Sequence, residues 1–258
     1  SDVYKRQFIM LMLQSGQDIY NEDLYTTDYN GIKTSDIKNL NLTNFMTQDS
    51  IRVFEQWTKF YTVFSFDQTF DAFSRFRTGE MPLVIQPYTF YNQLSVAAPE
   101  IKGLWDFTLV PGTKQADGTI NHAANSAGSG AVIFNKVSNQ AAAWDFVKWF
   151  TSTDIQVDYG KQIEALMGPM GRFDTANVEA LEQLPWSTAE YEKISSQQSY
   201  LKEVPIIPAS YAVTRHVNNA FRMVVNDAGN PRYTLMSYND QIKSEIVRKY
   251  QELSSVKK

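Results

Sequence analysis

Phe76-Arg77-Thr78-Gly79-Glu80-Met81-Pro82-Leu83-Val84-Ile85-Gln86-Pro87-Tyr88-Thr89-Phe90-Tyr91 changes its periodicity twice within one short stretch. Phe70, Phe73 and Phe76 recur at three-residue spacing, one side of a helix that stops at Gly79. Met81–Ile85 then reads as a buried strand with a proline at its start. Gln86 to Tyr91 sets aromatics in a turn, at the carboxyl edge where an open parallel α/β sheet binds ligands. Helix, core strand and polar-aromatic turn in that order predict an α/β fold with a site just after Ile85.

The flanking sequence repeats the alternation. Asp49-Ser50 is read as the start of a helix burying Ile51, Phe54, Trp57 and Tyr61. Trp105–Val110 reads as a short strand ending at Pro111-Gly112, and the polar stretch Thr113–Thr119 as a crossover between lobes. Ala131–Phe134 reads as another strand, followed by a helix capped by Ser138 that buries Ala143, Phe146, Val147 and Phe150. Ser187-Thr188-Ala189-Glu190 is a capping box opening a further helix. Val204–Pro208 is an extended connector. Beyond it Val213, Val217, Phe221 and Val224 mark one helix, and Ile242, Ile246, Val247, Tyr250 and Leu253 the last.

Composition narrows the function. The 258 residues, 43% hydrophobic and 20% charged, suffice for one large domain or two modest lobes. A formal charge of −4 without a Lys/Arg-rich run argues against nucleic acid as a partner. The absence of cysteine excludes disulfides, thiolate metal sites and cysteine nucleophiles. No apolar run approaches the roughly 18 residues of a membrane helix. Ser1–Gln7 resembles a translated sequencing-adapter string, and the apolar run Phe8–Leu13 begins abruptly after it; residues from Phe8 onward are therefore read as a fragment whose export signal lies upstream.

Catalytic signatures are weak. His122 and His216 are far apart and lack metal-ligand spacing, so no metal and no cofactor are expected. Ser126 to Gly130 is glycine-containing, but it lacks the Gly-Lys-Ser/Thr ending of a phosphate loop and precedes a strand. The Gly-x-Ser-x-Gly elbow is also missing, with asparagine at 125 and alanine at 127. A glycosidase needs two facing carboxylates, yet acids such as Glu179, Glu182, Glu190 and Glu192 fall on helix faces where solvation is the default. Aromatics make up 14% of the chain, and several tyrosines sit in turns. A sugar ring presents apolar C–H faces and a hydroxyl rim, a mixture that Gln86, Tyr88 and Tyr91 match within six residues. The competing reading is that both tyrosines simply cover the sheet edge.

Taken in order, Phe76–Ile85, Ala98-Pro99-Glu100-Ile101, Leu109–Thr113, Ala143–Ser152, Gln156 and Tyr159-Gly160 resemble the family 1 extracellular solute-binding proteins of bacterial ABC importers, the maltose-binding-protein-like group. The ending, Pro208–Tyr211, Arg215-His216 and Asn219–Arg222, is similar to one branch of these lipoproteins. The resemblance implies a periplasmic-binding-protein-like class II fold, two lobes with hinge crossings, incomplete at the N-terminus. It assigns 8–112 to the C-terminal lobe, 118–203 to the N-terminal lobe and 204–258 to a return into the C-terminal lobe.

The same resemblance implies a non-enzymatic protein that closes on a carbohydrate, most simply an oligosaccharide, for delivery to a membrane permease. It further implies an extracellular lipoprotein or periplasmic location and a monomer when full length. Carried over by position, Tyr88 or Tyr91 is the stacking aromatic, Ser126 and Ser129 contact hydroxyls, and Tyr211 and Arg215 face the ligand. A carbohydrate-active enzyme and a binder of another solute, with Arg215 as the anion contact, are the alternatives.

Overall fold

The computed structural model describes residues 3–256 except Ala127, with the side chains of residues 3–5 and 256 left out. In chain order its helices are α1 (Val3–Gln14), α2 (Asp23–Thr26), α3 (Gln48–Thr62), α4 (Ala72–Arg77), α5 (Thr89–Ala97), α6 (Gln140–Phe150), α7 (Thr153–Met167), α8 (Val178–Gln183), α9 (Thr188–Ser199), α10 (Ser210–Val225) and α11 (Pro231–Val256). Two short ladders accompany them among the described residues. Strands β1 (Thr113–Lys114) and β2 (Ile120–Asn121) pair antiparallel, and β3 (Ala124–Asn125) and β4 (Leu201–Lys202) pair parallel.

Two compact units divide the chain. The first takes the sequence up to Gln68, Val110–Ser126, and the sequence from Tyr200 onward. Its core forms where the helical periodicities meet. The hydroxyl of Thr47, one turn earlier than expected, caps α3 by accepting from the Ser50 amide (3.1 Å). That start aims Ile51, Phe54 and Trp57 inward. Phe8 stacks on Trp57 (5.4 Å between centroids, 15° between planes) and meets Phe54 edge-on, and Phe221 of α10 lies 4.6 Å from Trp57. Each such ring removed from water contributes about 1.5–3 kcal/mol. Val213, Val217 and Val224 of α10, and Ile242, Ile246 and Val247 of α11, close the core as their spacing predicts. Thr43 and Lys243 are buried and paired within it: Thr43 donates to Asn239, and Lys243 Nζ donates to the Lys38 carbonyl while pairing with Asp240.

The second unit takes Thr69–Leu109 and the sequence beyond Ser126 up to Ser199. Its small core is Leu181, Leu184 and Ile194, with Tyr88, Phe107, Phe173, Trp186 and Tyr191 packed against it. The turn Gly168–Gly171 folds back on α7. Gly168 adopts φ 63°, ψ −153°, a region open to glycine alone, and a Cβ on Gly171 would lie 2.5 Å from the Ile163 carbonyl oxygen. The units divide the chain differently from the expected 8–112, 118–203 and 204–258. Residues 69–109 group with the later stretch because Asn92 of α5 donates to the Arg172 carbonyl (2.6 Å) and Lys193 of α9 to Asp106 (2.5 Å).

Three runs read as strands form no ladder: Met81–Ile85, Trp105–Val110 and Ala131–Phe134. Leu83, Ile85, Val132 and Phe134 are 86, 54, 78 and 80% exposed, so these runs are not the buried strands expected. A strand needs a neighbouring strand to take its backbone hydrogen bonds, and among the described residues no strand pairs with these runs. Helix α6 forms where expected, capped by Asn139 instead of Ser138, but it buries nothing: Trp144, Phe146, Trp149 and Phe150 are all exposed.

Candidate functional site

The turn after Ile85 leads into α5, which presents Tyr88 and Tyr91 one helical turn apart. The two rings stack on each other (5.3 Å, 18°). Trp186 meets Tyr88 edge-on (5.1 Å, 79°), and Trp105 and Phe107 meet Tyr91 edge-on at 5.4 and 5.5 Å. A polar frame surrounds the rings. Arg172, 5.8 Å from the Trp186 ring centre, donates through Nε to Glu164 (2.8 Å) and through Nη1 to the Tyr91 hydroxyl (3.3 Å). The Tyr91 hydroxyl donates to Glu190, whose other oxygen accepts from the Ser187 amide (2.9 Å) and hydroxyl (2.8 Å).

Electrostatics follow from that frame. Burial pulls the Glu190 carboxyl upward, but hydrogen bonds from Tyr91 and Ser187 and the charge of Arg172 outweigh it and hold it below its ordinary value. Burial raises the Tyr91 phenol, and the Glu190 carboxylate raises it further. Tyr88 is pushed far up by burial, then by neighbouring Tyr91. Both tyrosines therefore act as neutral hydrogen-bonding rings at neutral pH. Tyr88 Oη, Trp186 Nε1, Glu164 Oε2 and Asn92 Oδ1 are buried with no protein partner. The cavity beside them, lined by Gly160, Glu164, Arg172, Phe173 and Trp186, is about 10 Å³, room for one water. The interior of the cluster therefore has no room for a ring-sized ligand.

Gln86 is exposed just before α5. Ser126 and Ser129 are exposed as well, and the Ser126 amide donates to the Lys202 carbonyl (2.8 Å); Ala127 between them lies outside the described residues. In the first unit Tyr211 and Arg215 share a face of α10. Both bind Glu245 of α11, through the Tyr211 hydroxyl (3.1 Å) and Arg215 Nη2 (2.9 Å), and Arg248 completes the group at 2.6 Å from Glu245. That ion pair fastens α10 to α11. Buried His216 beside it has its pKa lowered by burial, then by Arg215. Among the described residues no group of three or more His, Asp or Glu side chains is arranged to hold a metal ion.

Sequence reasoning passed over Arg172, Trp186 and Glu164, and placed Glu190 on a solvated face. One signal was available: Trp186 precedes the capping box Ser187–Glu190, and Tyr191 follows it, the pattern of a hydrophobic staple that draws the helix start into a core.

The profile of the bacterial extracellular solute-binding protein family matches residues 5–157, more than half of the sequence. The chain belongs to that family. Its fold is similar to the maltose-maltodextrin binding protein of the thermoacidophilic bacterium Alicyclobacillus acidocaldarius, with a TM-score of 0.56 and 15% identity over 94% of this chain. The chain spans 60% of the length of that protein. No curated protein matches the sequence. The fold is thus the periplasmic-binding-protein-like α/β fold, and both the family and the similar structure are binding proteins.

Proposed function

We propose that this chain is the ligand-capturing component of an ABC importer, that its ligand is a carbohydrate, and that the rim of the Tyr88–Tyr91–Trp186 cluster is where a sugar face stacks. The observation that carries the reading is the cluster itself: three half-buried aromatic rings framed by an arginine, two carboxylates and an amide. Sugar recognition needs ring faces for C–H patches and fixed donors and acceptors for hydroxyls, and both meet here. Gln86 borders the stack, whereas Ser126, Ser129, Tyr211 and Arg215 belong to further contact regions. The ligand passes to a membrane permease outside the cytoplasm, from a lipoprotein or periplasmic protein acting as a monomer. Glu164 holds Arg172, and Glu190 is held by Tyr91 and Ser187, a framing role that supports the binding reading.

The test is calorimetry against neutral oligosaccharides, starting with maltotriose, followed by Tyr88→Ala and Tyr91→Ala. Loss of a stacking ring is expected to weaken the bound glycan about tenfold, about 1.4 kcal/mol. Unchanged affinity in both variants removes the stacking assignment, and heat from no glycan in the panel removes the carbohydrate reading. A reducing-end assay that rises with time would return the protein to the enzymes.

A further inference from the structure

The chain passes between its two units four times, after Gln68, Leu109, Ser126 and Ser199. On the first unit, three of the four crossing ends are fastened together. Strands β3 and β4 pair across two of them, with the Ser126 amide donating to the Lys202 carbonyl (2.8 Å) and the Ala124 amide to the Tyr200 carbonyl (3.4 Å). His122 joins the third. Its Nδ1 lies 2.6 Å from the Val110 carbonyl oxygen, which only accepts, so this nitrogen carries the proton and donates. The same imidazole packs edge-on against Tyr200 (5.2 Å, 68°). The assembly is anchored to the end of α1: Asn121 Nδ2 donates to the Leu13 and Gln14 carbonyls, Gln115 Nε2 to the Gln14 carbonyl, and Gln14 Nε2 to the Pro111 carbonyl (2.9 Å).

We propose that His122 is the positioning residue of the hinge: it welds three crossings into one rigid piece of the first unit, so bending is confined to the chain beyond Leu109, Ser126 and Ser199. The hydrogen bond to Val110 is the part that matters, because it joins the crossing the ladder does not reach. Without it Val110 is tied less firmly, through Pro111 to Gln14 and through the pairing of Thr113 with Asn121, and the two units sample a wider range of orientations. The inference holds for any solute, and its test uses none, so it stands or falls apart from the carbohydrate reading.

The chain lacks cysteine, so Lys59→Cys and Glu182→Cys, exposed and one in each unit, take spin labels selectively. The interlabel distance distribution of the full chain is then compared for His122, His122→Phe and His122→Asn, with amide exchange recorded on the same proteins. Phe keeps the ring and loses the donor; Asn keeps a donor near the Nδ1 position and loses the ring. The Phe variant is expected to broaden the distribution and to speed exchange at Ala124 and Ser126 about tenfold, the effect of losing one hydrogen bond of about 1.4 kcal/mol. Asn is expected to restore both. Faster exchange with an unchanged distribution would make His122 a local packing residue and overturn the hinge role. Broadening by Asn but not by Phe would overturn the hydrogen-bond assignment. Wild-type exchange at Ser126 no slower than at Gly128 and Gly130 would overturn the weld itself.

Discussion

Replacing Tyr91 with Phe removes one oxygen and leaves every ring contact of the cluster in place. The hydroxyl serves two partners, donating to Glu190 and accepting from Arg172 at 3.3 Å. A hydrogen bond to a charged group contributes about 1.5–3 kcal/mol net, and leaving a buried carboxylate short of a donor adds to the loss. Here Glu190 keeps both bonds from Ser187 and an ion pair with Arg172 at 3.8 Å, and its side chain is 21% exposed. The lower end applies, about 1.5 kcal/mol. Urea unfolding followed by tryptophan fluorescence should show the midpoint falling with an unchanged slope. Glu190 is held below its ordinary pKa, so the loss is complete above the usual carboxylate value and shrinks as acid protonates this group in the folded protein. In a double-mutant cycle with Glu190→Gln the two changes should couple by about 1 kcal/mol. Coupling under about 0.3 kcal/mol, or a Phe penalty that persists undiminished to low pH, would refute the Tyr91–Glu190 bond as an energetic link.

Gly171→Ala pushes a Cβ to within 2.5 Å of the Ile163 carbonyl oxygen, a backbone atom that cannot swing aside, and should cost about 2–3 kcal/mol in urea unfolding; a loss under about 0.5 kcal/mol would mean that the turn and α7 are not packed this closely. Glu245, hydrogen-bonded first by Arg248 and then by Tyr211 and Arg215, has its pKa lowered to about 2. Its stabilisation is present above the unfolded value near 4.5 and lost as pH falls toward 2; with both arginines about half exposed, Glu245→Gln should cost only about 1 kcal/mol at pH 7, read as a melting-temperature gap that closes between pH 4.5 and 2. Phe146→Gln and Trp149→Gln on the open face of α6 should leave stability within about 0.5 kcal/mol of wild type while reducing binding of an apolar dye; a loss beyond about 2 kcal/mol would show that these rings are buried in solution.

The helical part of the fold was legible because a helix closes its own hydrogen bonds. The spacing of Val213, Val217, Phe221 and Val224 and the capping box at Ser187 each carry their information within a few residues, and each appears where expected. The strands failed for the opposite reason. Leu83 and Val132 sit in runs with good strand composition, but a ladder depends on a neighbour that no local pattern names. In the aromatic cluster, Tyr88 and Tyr91 were singled out because aromatics in a turn have a local signature. Arg172 and Glu164 were missed because their importance lies in a meeting between α7, the turn after it and α5, far apart in sequence. Tyr211 and Arg215 were singled out together and do share a face, yet their shared partner, Glu245, lies on α11 and left no trace in their own neighbourhood.

The last carbonyls of α1 take their donors from Gln115 and Asn121, separated from them by 101 to 108 positions. A glycine turn closes the helix locally, the Gly16 amide donating to the Leu13 carbonyl (3.0 Å) and the Gln17 amide to the Met12 carbonyl (3.0 Å), so it is the Gln14 carbonyl whose donors come later in synthesis. At about 5–20 residues per second, on the order of 5–20 seconds pass before those side chains have been made. Joining ends across about 100 residues costs on the order of 4 kcal/mol in chain entropy, so the closure has to be driven by the core around Phe8 and Trp57 and not by the two amides. During synthesis α1 is therefore closed by its own glycine turn, and the donors to its last carbonyl arrive with the segment that later carries the crossings.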